Sequence, residues 1–201
     1  MIVYYNGNED LNEIALTFDD GPNPPRTEKV LDILDSFKIK ATFFLIGKWV
    51  DKFPQTVKEI NRRGHLIGNQ TYSHSRDIDD IKECEEAIKR IIEKNVMFIR
   101  PPWGEWKNYP SLRTVKDKKI IILSFSTFDW KNPGVNKIVD YYIKNIKNGS
   151  IITLHDGDHK EAHSNRSDQM IQALPIILQK IQGRFKFVRI NEMKLIPKEV
   201  Y

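Results

Sequence analysis

Two adjacent carboxylates, Asp19 and Asp20, follow a short apolar run at residues 14–16. Like charges this close raise each other's pKa unless a metal ion or an arginine neutralises one of them. The pair therefore indicates two different roles, in which one carboxylate binds a cation and the other acts as a base. The alternative is a strand that ends in a solvated Asp-Asp-Gly-Pro turn, because these residues are ordinary turn formers.

His74 ends a polar loop that follows another apolar segment, residues 65–68. A lone histidine in a loop is by default a surface residue. Imidazole and carboxylate together, however, are a common ligand set for zinc and similar metals, so we predict that His74 and Asp20 are metal ligands. His65 is expected to lie in the strand itself and to be structural.

The segment at residues 100–104 reads Arg-Pro-Pro-Trp-Gly. Its two prolines fix the backbone and lack N–H groups, so the N–H groups of Trp103 and Gly104 are predicted to point at a ligand and to stabilise an oxyanion. Arg100 is always charged and is a natural partner for a buried Asp19. The alternative is a rigid turn with an exposed arginine.

Two later segments, Asp129-Trp130 and Leu154-His155, add an indole, an apolar side chain and a second imidazole. His155 is a candidate general acid, because imidazole has a pKa of about 6.5 and exchanges protons near neutral pH. Trp130 and Leu154 are candidates for the wall of a pocket that fits a methyl group, with core packing as the alternative. The polar loop at residues 159–163 has no strand to position it, and no role is assigned to its histidines.

Seven short apolar runs recur along the chain, and segments with helical spacing separate them. This alternation predicts a parallel sheet buried on both faces. The chemically suggestive residues follow five of the runs, so we expect them to meet at the carboxyl-terminal rim of a barrel-like sheet. No glycine-rich phosphate loop follows the first run, which argues against nucleotide binding. The runs are residues 14–18, 41–46, 65–68, 97–99, 120–125, 150–154 and 185–188.

The 201 residues, 40% hydrophobic and 29% charged, suit one globular domain, which we expect to be a monomer. The positive charges behind the net charge of +5 are scattered along the chain, and no basic helix or aromatic stripe indicates a nucleic-acid partner.

Cys84 is the single cysteine, which excludes an intramolecular disulfide, and it is expected to be buried. No apolar run approaches the about 18 residues that span a membrane. Residues 1–6 do not resemble a signal peptide, which leaves a cytoplasmic protein or an exported domain without its leader.

These motifs, in this order, resemble those of the polysaccharide deacetylases, the NodB-like domain of carbohydrate esterase family 4. The resemblance runs from about residue 13 to about residue 188 and implies one domain with a distorted (β/α)7-type barrel. It also implies a hydrolase that removes N-acetyl groups from N-acetylated hexosamine glycans and releases acetate. Peptidoglycan and chitin-like oligomers are the expected substrates.

The resemblance assigns a role to each candidate residue. Asp19 is the base that activates the attacking water, Arg100 orients Asp19, and His155 is the general acid. Asp20 and His74 hold a divalent metal, expected to be zinc.

The remaining roles concern the acetyl group of the substrate. The backbone N–H of Trp103, together with the metal, polarises the acetamide carbonyl. Trp130 and Leu154 hold the acetyl methyl group.

One departure from the family pattern lies in the metal site. The family has two histidines four positions apart, and the earlier position is Gln70 here. An amide oxygen binds zinc more weakly than imidazole, so metal affinity is expected to fall. Gln70 coordinates through its oxygen, or Asp20, His74 and waters hold the metal without it, or Gln70 is an introduced replacement. The alternative function is a catalytically impaired homologue that binds glycan or regulates.

A second departure is Ser126, three residues before Asp129, where many members carry an aspartate. A small residue at this point is similar to the branch that acts on N-acetylmuramic acid, which favours a cell-wall substrate. The loss of a negative neighbour is expected to lower the pKa of His155 relative to other members.

Overall fold

The computed structural model of this chain describes residues 2–107, 109, 112–113, 115, 117–125 and 128–199. Strands and helices alternate through most of this part, as the sequence pattern predicts. The strands are β1 (Ile2–Gly7), β2 (Glu13–Gly21), β3 (Thr42–Leu45), β4 (Leu66–Asn69), β5 (Phe98–Ile99), β6 (Lys119–Ile121), β7 (Ile151–His155), β8 (Lys186–Phe187) and β9 (Leu195–Glu199). The helices are α1 (Arg26–Ser36), α2 (Gly47–Lys52), α3 (Pro54–Arg62), α4 (Ile78–Ile92), α5 (Val135–Asn145) and α6 (Asp168–Ile181).

The strands form one curled sheet in the order β7-β2-β3-β4-β5-β6-β1-β9, and β8 also pairs with β2. All pairings between strands are parallel except that of β1 with β9. The sheet curls far enough for an isolated antiparallel bridge to join Asn6 and Ser150. Ser124 also bonds to β7, where its Oγ accepts from the Ile151 N–H at 2.7 Å. The predicted distorted α/β barrel is therefore confirmed as a curled half-barrel.

Each of the seven predicted apolar runs contains a strand. The prediction for residues 120–125 was too long, because β6 ends at Ile121. Strands β1 and β9 were not predicted. They lie at one edge of the sheet and pair with each other.

The main core lies between the sheet and the helices, and its side chains follow the predicted periodicities. In α6 the buried side chains recur at helical spacing, from Met170 to Ile181. Residues 14–21 of β2 are buried throughout, as expected of a central strand covered on both faces. Cys84 is buried and free, as predicted. None of the helices in the described ranges combines the length and apolar character that a membrane span requires.

The strand order brings the candidate residues to one rim of the sheet. Strand β2 lies between β3 and β7, and the register of β2 with β7 sets Asp19 opposite His155. Arg100 follows β5 directly, and its backbone N–H bonds to the Asn69 carbonyl at the end of β4. The carboxyl ends of four neighbouring segments therefore converge, which is where parallel α/β proteins build their sites.

Candidate active site

Asp19 and Arg100 form a buried ion pair at the end of β2. Arg100 Nη1 lies 2.6 Å from Asp19 Oδ1 and also donates to Thr17 Oγ1 at 2.7 Å. Asp19 is 4% exposed and Arg100 1% exposed. Burial raises the pKa of Asp19, and the Arg100 charge opposes this rise. Asp19 is therefore a carboxylate fixed in orientation whose pKa is moved towards the range of a general base.

Left-handed backbone conformations concentrate at this rim. Asp20 has a φ of 69°, Thr71 of 67°, His74 of 63° and Trp103 of 59°. Each such residue other than glycine costs about 1–3 kcal/mol, and this cost is typically found at binding and catalytic sites. The loops that carry these residues are therefore held in position by the surrounding structure rather than by their own preference.

Asp20, His74 and His159 form a cluster beside Asp19. His74 Nε2 lies 3.5 Å from Asp20 Oδ1, and His159 Nδ1 lies 3.6 Å from Asp20 Oδ2. The His74 and His159 rings stack with their centroids 4.5 Å apart. One ligand atom from each residue lies within 4.8 Å of the others. The sequence analysis assigned His159 no role, and the structure brings it to the predicted ligands.

This cluster fits a divalent metal by the chemistry of its donors. One carboxylate and two imidazoles are a typical set for zinc and neighbouring transition metals. Asp20 Oδ1, which faces His74 Nε2 at 3.5 Å, is buried without a hydrogen-bond partner within the described ranges. Because an unpaired buried polar atom is costly, this oxygen indicates a ligand.

The protonation states in the cluster also suit a cation. Burial lowers the pKa of His74 to about 4, so its imidazole is neutral at pH 7. Burial acts to raise the pKa of Asp20, but His159, His155 and His74 outweigh it and the pKa is lowered. Neutral imidazole and ionised carboxylate are the forms that bind metals.

Gln70, the residue at the expected position of a family histidine, lines the same cavity. Its Oε1 is buried and bonds to no partner among the residues that the structure describes. Its backbone N–H donates to the Leu45 carbonyl at 2.9 Å, which extends the pairing of β3 with β4. Gln70 is thus placed where the resemblance predicts a ligand, with an amide in place of an imidazole.

His155, the cross-strand partner of Asp19, is held by Asp129. Its Nδ1 lies 3.1 Å from Asp129 Oδ1, and its backbone N–H donates to Asp129 Oδ2 at 2.8 Å. Tyr142 Oη donates to the same carboxylate at 3.1 Å. Burial acts to lower the pKa of His155, but Asp129, Asp20 and Asp19 outweigh it and raise the pKa to about 9. The imidazole is therefore protonated at neutral pH, with Nε2 free of Asp129.

Asp19, His155, Gln70 and the cluster of Asp20, His74 and His159 line one cavity of about 590 Å³. Two indoles stand at its mouth, where Trp103 is 56% exposed and Trp130 is 36% exposed. The lining residues are Asp19, Asp20, Gln70, His74, Trp103, Gly104, Leu123, Trp130, Thr153, His155, Gly157, His159, Lys160 and Arg166.

Leu154 is separated from this cavity. Its side chain is fully buried in the main core, and Leu123 supplies an apolar side chain to the cavity instead. The role predicted for Leu154 in holding a methyl group stays a prediction.

The turn at Pro102–Gly104 differs from the prediction in one donor. Gly104 does not have a free N–H, because it donates to the Pro101 carbonyl at 3.0 Å and closes a 3-10 turn. The Trp103 N–H donates to no backbone carbonyl within the described ranges. Trp103 therefore remains the candidate oxyanion donor, and Gly104 is removed from that role.

Two other sequence predictions concern His65 and Ser126. His65 lies just before β4 and not in the strand as expected, but it is buried and its Nδ1 accepts from the Ala41 N–H at 3.1 Å, which fits the structural role expected of it. Ser126 lies outside the described residues, so the expectations attached to it stay predictions.

Known proteins similar to this chain include carbohydrate deacetylases, which agrees with the fold and the residues of the cavity. The family model described as polysaccharide deacetylase matches residues 6–120. A peptidoglycan-N-acetylglucosamine deacetylase of Bacillus cereus is 37% identical over 193 residues, which cover 90% of this chain and 87% of the relative. A chitooligosaccharide deacetylase of Sinorhizobium fredii is 34% identical over 191 residues, which cover 88% of each protein.

The solved structures agree with the sequence relatives. The crystal structure of the Bc1960 peptidoglycan N-acetylglucosamine deacetylase, in complex with 4-naphthalen-1-yl-N-oxidanyl-benzamide, superposes with a TM-score of 0.84. It is 35% identical, and the match covers 94% of this chain and 91% of that one. The fold and the cavity thus define a carbohydrate deacetylase architecture. This chain belongs to the polysaccharide deacetylase family.

Proposed function

We propose that this protein is a metal-assisted hydrolase that removes N-acetyl groups from N-acetylated hexosamine glycans. One observation carries the proposal: Asp19 and His155 face one cavity as cross-strand partners, each held by its own charged residue. Asp19 is held by Arg100 at 2.6 Å, and His155 by Asp129 at 3.1 Å. A positioned base and a positioned acid that line one cavity are what amide hydrolysis requires.

The metal would be held by Asp20 and His74, the two ligands that the resemblance implies. When bound, a divalent cation at this point supplies Lewis acidity, which polarises a carbonyl oxygen and lowers the pKa of a water molecule. We propose zinc, because carboxylate and imidazole ligands suit it.

Asp19 would act as the general base. Arg100 holds Oδ1, which leaves the other carboxylate oxygen to take the proton of the attacking water. The buried guanidinium also opposes the rise in the pKa of Asp19 that burial causes. The Trp103 N–H would donate to the oxygen of the acetamide as negative charge develops there.

His155 would act as the general acid. Asp129 holds Nδ1, so Nε2 would deliver its proton to the nitrogen as the C–N bond breaks. A pKa of about 9 keeps this proton in place at neutral pH. The bond cleaved is the amide, the water oxygen ends in acetate, and the sugar keeps a free amine.

The proposed substrate is a glycan of the cell wall or a chitin-like oligomer, the two classes named for the relatives above. Trp103 and Trp130 expose indole faces on which sugar rings can stack. Two cations, Lys160 and Arg166, also line the cavity, and Arg166 pairs with Asp158 at 3.2 Å. The Lys160 charge favours peptidoglycan, which carries carboxylates, over neutral chitin oligomers.

The test is release of acetate and of free amine from peptidoglycan strands and from N-acetylglucosamine oligomers, with Zn²⁺ present. The unaltered chain should act on at least one of them and prefer peptidoglycan. Asp19→Asn and His155→Gln should each lower kcat by about 100-fold to 10,000-fold, since each removes a proton-transfer group. If the unaltered chain releases no acetate from either glycan while it binds Zn²⁺, the proposal fails in favour of a glycan-binding homologue.

A further inference from the structure

We infer that His159 supplies the second imidazole ligand of the metal, in place of the residue at position 70. The ligand set of one carboxylate and two imidazoles would then be complete without Gln70. The second histidine would come from the loop between β7 and α6 and not from the loop that ends at His74. The inference rests on the proposed function only in that both concern the same metal.

The spacing of the three side chains supports this assignment. Two zinc ligands at tetrahedral positions, each about 2.05 Å from the metal, lie about 3.3 Å apart. His74 Nε2 lies 3.5 Å from Asp20 Oδ1, and His159 Nδ1 lies 3.6 Å from Asp20 Oδ2. One ligand atom from each of the three residues lies within 4.8 Å of the others. The two separations from Asp20 are close to the tetrahedral value, and small side-chain rotations would bring the three ligand atoms onto one ion.

Neighbouring aromatic rings hold the two histidines. The His74 and His159 rings are nearly parallel, with an angle of 23° between their planes. The Trp103 ring packs edge-on against His74 with centroids 4.7 Å apart. His159 therefore lies against His74 in a defined orientation, although its side chain is 21% exposed.

Helix α2 anchors the backbone that carries His159. Lys48 Nζ donates to the His159 carbonyl at 2.6 Å, and Trp49 Nε1 donates to the Asp158 carbonyl at 2.9 Å. The same helix bonds to the other ligand loop, because the Gly47 and Lys48 N–H groups donate to the carbonyls of residues 71 and 72. One short helix thus fixes the loop of His74 and the loop of His159 relative to each other.

The side chain of Asp158 stabilises the same loop from within. It accepts from the Lys160 N–H at 2.9 Å, from Ser164 Oγ at 3.1 Å and from Arg166 Nη1 at 3.2 Å. Asp158 is 7% exposed, so these bonds are shielded from water. The position of His159 is therefore determined by the bonds from α2 and by the bonds within its own loop.

The first experiment compares Zn²⁺ affinity, measured by competition with a chromogenic chelator, among four single variants and one double variant. His159→Ala and His74→Ala should each weaken binding by at least about 100-fold, and Gln70→Ala by less than about 10-fold. His163→Ala is the matched control, because it removes another histidine from the same loop and should leave affinity unchanged. Thermal unfolding of each metal-free variant confirms that it is folded.

The double variant His159→Ala/Gln70→His tests the exchange of positions directly. A histidine at position 70 should restore most of the affinity lost in His159→Ala, because it returns an imidazole to the cavity. Unchanged affinity in His159→Ala overturns the inference, and so does a loss in Gln70→Ala as large as that in His159→Ala. Acetate release is recorded separately. The expected affinities without turnover would refute the proposed function and leave the ligand assignment standing.

Discussion

Gly157 lies against the backbone of Asp20, and a side chain at this position should separate the metal ligands. A Cβ atom on Gly157 would lie 2.0 Å from the Asp20 carbonyl oxygen and 2.6 Å from the Gly21 nitrogen. Both are backbone atoms, so a side-chain rotation cannot relieve the clash. Gly157 is not among the glycines with positive φ, so alanine adds bulk here without strain in its own backbone.

The size of the effect follows from these distances. Ordinary van der Waals contact begins at 3.4 Å, so in Gly157→Ala the β7–α6 loop or the end of β2 must move by more than about 1 Å. A displacement of about 1 Å at a reacting group lowers activity by about 100-fold. Overpacking of this kind also lowers the free energy of unfolding by about 1–3 kcal/mol.

The assay is kcat/KM for acetate release, measured together with Zn²⁺ affinity and urea unfolding. Gly183→Ala is the control for stability alone. Gly183 has a φ of +81° and open space around its Cβ position, so alanine adds backbone strain of about 1 kcal/mol without a clash. We expect Gly183→Ala to lose stability and keep its activity, and Gly157→Ala to lose both. Wild-type activity and affinity in Gly157→Ala would refute the packing of this loop against Asp20.

Three further predictions concern buried charged or titratable groups. Arg100→Met should lower the free energy of unfolding by about 3–5 kcal/mol, because Asp19 is left as an unpaired buried carboxylate. In urea unfolding, the inactive double variant Arg100→Met/Asp19→Leu should recover part of that free energy. A double variant no more stable than Arg100→Met would contradict this reason. Asp129→Asn removes a negative charge that raises the pKa of His155, so the fall in kcat that begins near pH 9 in the unaltered chain should begin at lower pH. If the alkaline side of the kcat–pH profile does not shift, His155 is not the general acid. Burial lowers the pKa of His65 to about 4, so the unfolded state takes up a proton first as the pH falls. Stability should decline between about pH 6.5 and pH 4 by up to about 3 kcal/mol, and His65→Asn should remove that part of the decline in urea titrations at each pH.

Much of the fold was predictable because the central strands are apolar on both faces. The runs that became β2, β3 and β7 are buried on both sides by helices and by the interior of the half-barrel, and this burial requires apolar residues throughout. β1 and β9 lack this pattern. β1 mixes exposed, half-buried and buried residues, and residues 195–198 of β9, the edge strand, are exposed or half-buried. Pro197 in β9 further weakens the strand signal, because proline lacks an N–H for pairing.

The candidate site was predictable where a residue lies at the carboxyl end of a strand or directly after it. Asp19, Arg100 and His155 are fixed by strand ends, and their meeting follows from the order of a parallel sheet. His159 could not be found in this way. Its position depends on bonds from Lys48 and Trp49, which lie 111 and 109 residues from their partners in the chain. Such long-range anchoring of a loop leaves no periodic signal in the sequence.

The measurement that tests the central claim most directly is Zn²⁺ titration of the chelator-treated, otherwise unaltered chain, followed by acetate release from peptidoglycan strands. The account predicts that the chelated protein is inactive. It also predicts that activity rises in proportion to bound Zn²⁺ and saturates at one ion per chain, with Gln70 in place. Undiminished acetate release after complete metal removal would contradict metal assistance. Absence of release at full Zn²⁺ occupancy would contradict the proposed deacetylation.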